Sequence, residues 1–206
     1  MHQERSRKIM NKPFSQACEN NKAAILSILA EHLKACKTVL EVGSGTGQHA
    51  VYFAPNMPWL TWQTSDISAN HQGINLWLNE LPQDNLLSPI ELDLNNRWPI
   101  KKVDAIFTAN TLHIVKWSLV EAFFHGVSQH LNSHGHCCIY GPFNYQGKYS
   151  SESNANFDLW LKERDSESAI RDIEAIIALA NAAGLSLEND HAMPANNRLL
   201  VFKKIG

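Results

Sequence analysis

The chain has 206 residues, 44% of them hydrophobic and 18% charged, which suits one α/β domain over residues 1–206 and argues against disorder. A formal net charge of −2, with no long run of one sign, provides no basic stripe for a nucleic-acid backbone or an anionic membrane surface. No apolar run approaches the ~20 residues that span a bilayer.

The first stretch, Met1 to Lys8, is charged and lacks the apolar core of a secretory signal. A helix is predicted over about 16–35, with Ala24, Ile25, Ile28, Leu29 and Leu33 at helical spacing. Thr38 to Val42 is a β-branched run ended by glycines, and a helical stretch follows up to Pro55. Leu60–Ser65 reads as a strand and Asn70–Glu80 as a helix; Ile90–Asp93 is a third strand. Val103–Thr108 is the fourth strand, Ser118–Leu131 a helix, and His136–Tyr140 the fifth strand. Such alternation implies a doubly wound, mostly parallel sheet.

The alternation stops after Tyr140. A polar, aromatic segment over about 142–167 reads as an irregular insertion or lid, with Tyr145, Tyr149, Phe157 and Trp160 among Ser, Asn and Gly. A helix is predicted from Ser168 to a cap at Gly184, then a hairpin of Leu185–Ala192 and Arg198–Phe202.

The four cysteines, Cys18, Cys36, Cys137 and Cys138, form no CxxC pair and read as reduced, so a cytoplasmic location is expected. Of ten histidines, His130, His134 and His136 are the tightest group. Without zinc spacing or HExxH they read as structural, His130 as a partly cationic ring at a helix C-terminus, and no metal site is expected.

The chemistry concentrates in Glu41-Val42-Gly43-Ser44-Gly45-Thr46-Gly47, a strand turning into a helix through glycines that let a ligand approach backbone N–H groups. Glu41 disfavours a pyrophosphate there and suits a cationic ligand. Asp66 ends the neighbouring strand about 20 residues on, where one carboxylate can accept both hydroxyls of a ribose. Asp93 ends the third strand, placed to accept from an adenine amino group. The third glycine, Gly47, falls one residue short of the GxGxxG spacing, which disfavours a nicotinamide dinucleotide. Glu41 as a solvated strand end and Asp93 as a turn former remain alternatives for each residue alone.

Val39–Gly47, Ser65-Asp66, Leu92-Asp93-Leu94 and Asp104–Asn110 resemble the first four motifs of the class I S-adenosylmethionine-dependent methyltransferases. The resemblance implies a Rossmann-like seven-stranded sheet of order 3-2-1-4-5-7-6 with a C-terminal antiparallel hairpin. It also implies adenosylmethionine held by Glu41, Gly43, Ser44, Gly45, Gly47, Asp66, Ile67, Asp93, Leu94 and Asn110. Four further stretches are similar to a small methyltransferase-like family of unknown function in bacteria and eukaryotes: Asn20-Asn21-Lys22, Gly47–Ala50, Tyr140–Phe143 with Ser153–Asp158, and Met193–Asn197. Thr64 and Ala169 depart from that pattern, where proline and glycine are usual.

In open α/β sheets ligands bind beyond the carboxyl ends of the strands, which nominates His113, Tyr145 and Asn196 for the methyl acceptor. His113 suits a base and equally a structurally bonded histidine; Asn196-Asn197 suits a site and equally a turn; the loop aromatics suit a pocket wall or simple packing. Thr108-Ala109-Asn110-Thr111 lacks the Asn-Pro-Pro-aromatic sequence of amide and nucleobase N-methyltransferases, and a small-molecule acceptor is preferred. The alternative is a non-catalytic adenosylmethionine-binding or partner-binding module.

Overall fold

The computed structural model describes residues 11–206, so the expectation for Met1–Lys8 lies outside the described residues. At its centre is β1 (Thr38–Val42), whose side chains alternate between two apolar layers. Around it lie β2 (Thr61–Asp66), β3 (Leu86–Glu91), β4 (Val103–Ala109), β5 (Leu131–Gly141), β6 (Leu185–Met193) and β7 (Asn197–Lys204), in the order 3-2-1-4-5-7-6. Pairing is parallel from β3 through β5, while β7 runs antiparallel to both β5 and β6. β6 therefore runs parallel to β5, and the turn Pro194–Asn196 lies at the carboxyl edge of the sheet.

Among the described residues six helices flank the sheet: α1 (Gln16–His32), α2 (Gln48–Asn56), α3 (Ser68–Glu80), α4 (Trp117–His130), α5 (Glu152–Arg164) and α6 (Ile173–Ala182). Ile25 and Leu29 of α1 and Phe53 of α2 meet Val39, Trp62, Phe107 and Val201 on one face. Phe123 and Phe124 of α4 and Ile176 of α6 meet Leu40, Ile106 and Phe202 on the other. Strands buried on both faces are near-continuously apolar, as in β7, where Leu199–Phe202 are all buried. The adjacent thiols of Cys137 and Cys138 are free and point into opposite layers. Among the described residues no helix is long and apolar enough to cross a membrane.

The structure departs from the sequence reading at three places. β3 starts at Leu86, four residues before the predicted run, because an edge strand can carry Pro89 through a register shift opposite Gln63–Ser65. The segment 142–167 is not irregular throughout: it contains α5, capped by Ser151 Oγ accepting from the Asn154 N–H. Its buried residues, Asn154, Asp158 and Leu161, have helical spacing, but two of the three are polar, so no apolar stripe announces it. Finally, residues 168–172 are extended instead of starting α6. Their polar groups are committed elsewhere: the Ala169 N–H donates to His113 O, the Ile170 N–H to Asp158 Oδ1, and Arg171 to Leu112 O and Val115 O. Phe143–Asn144 and Arg171–Asp172 pair as two-residue strands beside the main sheet.

The three histidines closest together in the sequence have separate structural surroundings. His130 ends α4 stacked on Trp98 (ring centroids 5.6 Å apart), and burial holds its pKa below the ordinary value. Neutrality is thereby favoured over the cationic, dipole-capping form. His134 occupies a left-handed turn at φ 63°, and His136 faces α1. Trp98 also explains why Gly126 is glycine, since a Cβ there would lie 2.3 Å from its ring. Gly126→Ala is expected to cost about 1–3 kcal/mol by overpacking, read as a lowered urea midpoint at unchanged slope.

Candidate functional site: a two-part cleft at the carboxyl edge

The loop leaving β1 turns through three left-handed glycines, Gly43 (φ 74°), Gly45 (φ 59°) and Gly47 (φ 88°). Space also selects two of them. A Cβ at Gly43 would meet Thr111 Oγ1 at 2.9 Å, and one at Gly47 the Ile74 Cα at 3.2 Å. A Cβ at Gly45 meets nothing within 4 Å and would face the open cleft.

The loop's N–H groups are mostly committed to the protein. Gly43 and Ser44 both donate to Ser65 O, Gly45 to Asp66 Oδ2 at 2.8 Å, and Gly47 to Ser44 O. The expectation that they face a ligand is thus not met at these four positions, which form a braced wall instead of an anion nest. Glu41 is the brace. It is 2% exposed and lies behind the cleft wall, accepting from Ser44 Oγ (2.9 Å) and Trp62 Nε1 (3.1 Å). Burial pushes its carboxyl up to about 7 against those hydrogen bonds. It supports the loop from behind and does not line the cavity.

Gly43, Ser44, Gly45, Asp66, Ile67, Asp93, Leu94 and Asn110 surround one cavity of about 450 Å³. Gly47 and Glu41 stand outside that wall. Asp66 accepts from the N–H groups of Gly45 and Ile67 and from Asn70 Nδ2, so about one of its four lone-pair positions is free until Asn70 moves. Asp93 accepts from the Asn95 N–H at 2.9 Å, holding a turn while also facing the cavity.

A second cavity of about 840 Å³ adjoins the first, and Ser15, Asn110 and Ile114 border both. Asn110, at the end of β4, has φ 56°, a strained backbone for a non-glycine residue and one that tends to mark functional positions. His113 lines the outer cavity, 5% exposed, with its ring edge-on to Phe157 (5.5 Å). Burial, reinforced by Arg171, depresses its pKa to about 4, so the ring is neutral at pH 7. Among the described residues neither ring nitrogen forms a protein hydrogen bond.

α5 supplies the outer wall through Asn154, Phe157, Trp160, Leu161 and Arg164. Phe157 and Trp160 stack (19°, 5.6 Å), and Arg164 lies 4.6 Å over the Trp160 ring.

Two predicted acceptor-site residues are engaged elsewhere. Tyr145 does not line the outer cavity; its hydroxyl donates to Asp190 Oδ2 at 2.7 Å, and Arg198 holds the same carboxylate. Burial and the Asp190 charge raise its pKa further above the usual phenol value. Asn196 is a turn residue (φ 58°) whose side chain donates to Ser153 Oγ and whose carbonyl accepts from Asn154. Its neighbours Ala195 and Asn197 are the ones lining the cavity.

Sequence reasoning missed Ser15 and Cys18, which bring the start of α1 over the inner cavity. The available signal was an N-cap serine, since Ser15 Oγ accepts from the Cys18 N–H. Gln48 locks this helix end to α2: its Oε1 accepts from the Ser15 N–H (2.5 Å) and its Nε2 donates to Glu19 (2.7 Å). His49 Nε2 meets Asn21 Oδ1 at 2.7 Å. The motif stretches at 20–22 and 47–50 are therefore contact partners, as are those at 153–158 and 193–197.

Buried histidines set a stability-versus-pH expectation. His49 and His113 are both depressed to about 4, whereas unfolded they titrate near 6.5. Their contribution is present above 6.5 and lost as pH falls toward 4. Glu41, raised to about 7, acts oppositely, contributing below 4.5 and losing that contribution as pH rises through 7. Between roughly pH 5 and 6 the unfolded state binds two more protons at the histidines and one fewer at Glu41. Stability should then fall by about 1.4 kcal/mol per unit of acidification, with His32 and His136 adding to the slope. Denaturant melts from pH 7 to 5 check this, and Glu41→Gln should steepen the decline.

The sheet order, the antiparallel hairpin and the cleft at the switch between β1 and β4 define the class I methyltransferase fold. The chain belongs to the family described as "Protein of unknown function (DUF938)", whose model matches residues 12–204. Solved structures with the same fold include an O-methyltransferase family protein from Burkholderia thailandensis (TM-score 0.79, 14% identity, covering 90% of this chain and 56% of that one). Another is human N-acetylserotonin methyltransferase in complex with SAM (TM-score 0.80, 14% identity, 93% and 53%). A third is PigF with SAH (TM-score 0.74, 14% identity, 88% and 61%). The chain spans a little over half the length of these structural neighbours.

Proposed function

We propose that this protein is an S-adenosylmethionine-dependent methyltransferase acting on a small acceptor that presents a hydroxyl. The observation carrying the reading is the pair of adjoining cavities sharing Ser15, Asn110 and Ile114. The inner one offers Asp66 for a ribose, Asp93 for an adenine amino group, and Ile67 and Leu94 as apolar walls. Its glycine loop, with four N–H groups already bonded, suits a nucleoside without phosphates better than a dinucleotide. Two of the structural neighbours are described with SAM or SAH bound, which supports the same cofactor.

Methyl transfer from a sulfonium is an in-line displacement, so holding the acceptor oxygen against the methyl group in a water-poor pocket supplies much of the rate. A hydroxyl begins protonated, and His113, neutral with unpaired nitrogens, can take its proton. Phe157 and Trp160 provide stacking surface for an apolar or aromatic body, and α5 acts as the lid expected over 142–167. Tyr145 and Asn196 hold the lid and the hairpin turn in place instead of meeting the acceptor.

Adenosylhomocysteine release measured over a panel of phenols, aliphatic alcohols, amines and carboxylates tests this directly. Turnover confined to hydroxyl acceptors supports the proposal. Cofactor binding without turnover on any class favours the non-catalytic module.

A further inference from the structure

Outside the cleft, α1, β5 and β6 converge on a group of metal-ligating side chains. The nitrogens of His32 and His136 and a carboxylate oxygen of Glu188 all lie within 4.8 Å of one another. His191 lies beside them, its Nε2 hydrogen-bonded to His32 Nε2 at 3.1 Å, and His136 Nε2 stands 3.5 Å from Glu188 Oε2.

The backbone explains the meeting. His32 is in the last turn of α1. His136 shares its strand face with Cys138 of the α1-facing core, and His191 pairs opposite Leu199 of that same core. Glu188 is the extra residue of a β-bulge: Leu187 pairs with Phe202 and Asn189 with Val201, so β6 has one residue to spare between them. Bulges re-aim side chains, and this one leaves Glu188 beside the histidines.

We propose that His32, His136 and Glu188 form a binding site for a divalent transition-metal cation of the zinc class, separate from the methyl-transfer cleft. Two imidazoles and a carboxylate, with a fourth position left for water, are a donor set for such a borderline ion, not for calcium or magnesium. The spacing suits it: two donor atoms each ~2.0–2.1 Å from zinc at a tetrahedral angle lie roughly 3.3 Å apart, close to the 3.5 Å between His136 Nε2 and Glu188 Oε2. Burial holds the His32 and His136 pKa values below the ordinary one, which keeps their lone pairs available at neutral pH. The Nδ1 of His136 is buried with no hydrogen-bond partner among the described residues. Lys203 Nζ lies 3.5 Å from Glu188 Oε1; at 41% side-chain exposure it can turn to solvent when a metal binds. Such an ion would tie α1 to the hairpin and so link three segments far apart in the chain.

The test is calorimetric titration of zinc chloride into the chelator-stripped full chain, with cobalt(II) substitution as a spectroscopic readout. The expected result is one zinc per chain and visible cobalt bands of tetrahedral intensity. Affinity should fall at least ten-fold in Glu188→Gln and in His136→Gln. Glu188 lies at the exposed rim, so E188Q keeps the test valid if H136Q does not fold, and melting of both variants without metal checks their folding. Absence of zinc uptake by the wild type, or unchanged affinity and cobalt spectra in E188Q, would overturn the proposal. Adenosylhomocysteine binding is unaffected by either outcome.

Discussion

Asp66→Ala is expected to remove nearly all stabilisation by adenosylhomocysteine. A carboxylate receiving two ribose hydroxyls makes charge-assisted hydrogen bonds of about 1.5–3 kcal/mol each, so their loss weakens binding about 100-fold or more. Ligand at 100 times the wild-type dissociation constant adds about 2.7 kcal/mol; after a 100-fold loss the same concentration adds only about 0.4 kcal/mol. For a chain of this size that is the difference between a melting shift of several degrees and about one. Asp66 also holds the Gly45 N–H, so the unliganded variant should itself melt lower. Asp66→Asn, which keeps one acceptor for that N–H, separates the two effects. A ligand-induced shift in Asp66→Ala equal to that of the wild type would sink the ribose assignment, and a shift given only by a nicotinamide dinucleotide would sink the cofactor.

His113→Ala should lower kcat by about 10²–10⁴ on any hydroxyl acceptor that turns over, the range for loss of a general base. Binding of adenosylhomocysteine, measured by calorimetry, should change little because His113 lines only the outer cavity. Since the ring's pKa is already near 4, kcat should stay level from pH 8 to about 5 and decline below that. A rise in KM with kcat intact would instead make His113 a packing residue against Phe157. His113→Gln helps here, because it retains a polar group of similar reach yet cannot serve as a base of comparable strength.

The legible parts of the fold were those in which local pattern and global position agree. Apolar runs of five or six residues between helical periods gave the strands, and the glycine-to-helix turn after Val42 marked the cleft. α5 was illegible because the face it buries is made of Asn154 and Asp158. Burying Asp158 raises its pKa, yet hydrogen bonds from Lys162, Tyr149 and Ile170 outweigh this and hold it below the usual carboxylate range. A residue that looks solvent-facing in sequence thus becomes an internal anchor. The extended stretch 168–172 was read as helix for the related reason that its backbone partners, His113 O and Asp158, lie on other segments.

The sequence by itself determined the order of elements, the antiparallel hairpin, and three acidic residues at or just beyond the ends of consecutive strands. These follow from side-chain period and turn chemistry, which are local. Only the tertiary structure decided what each acid does. Asp66 and Asp93 face the cleft, whereas Glu41 sinks behind the loop and braces Ser44 and Trp62. It likewise committed Tyr145 to Asp190, turned Asn196 into a support for α5, and left His113 unpaired in the cavity. Hydrogen bonding and desolvation act through space, between residues such as Ser15, Asn110 and Ala195 that no spacing along the chain connects.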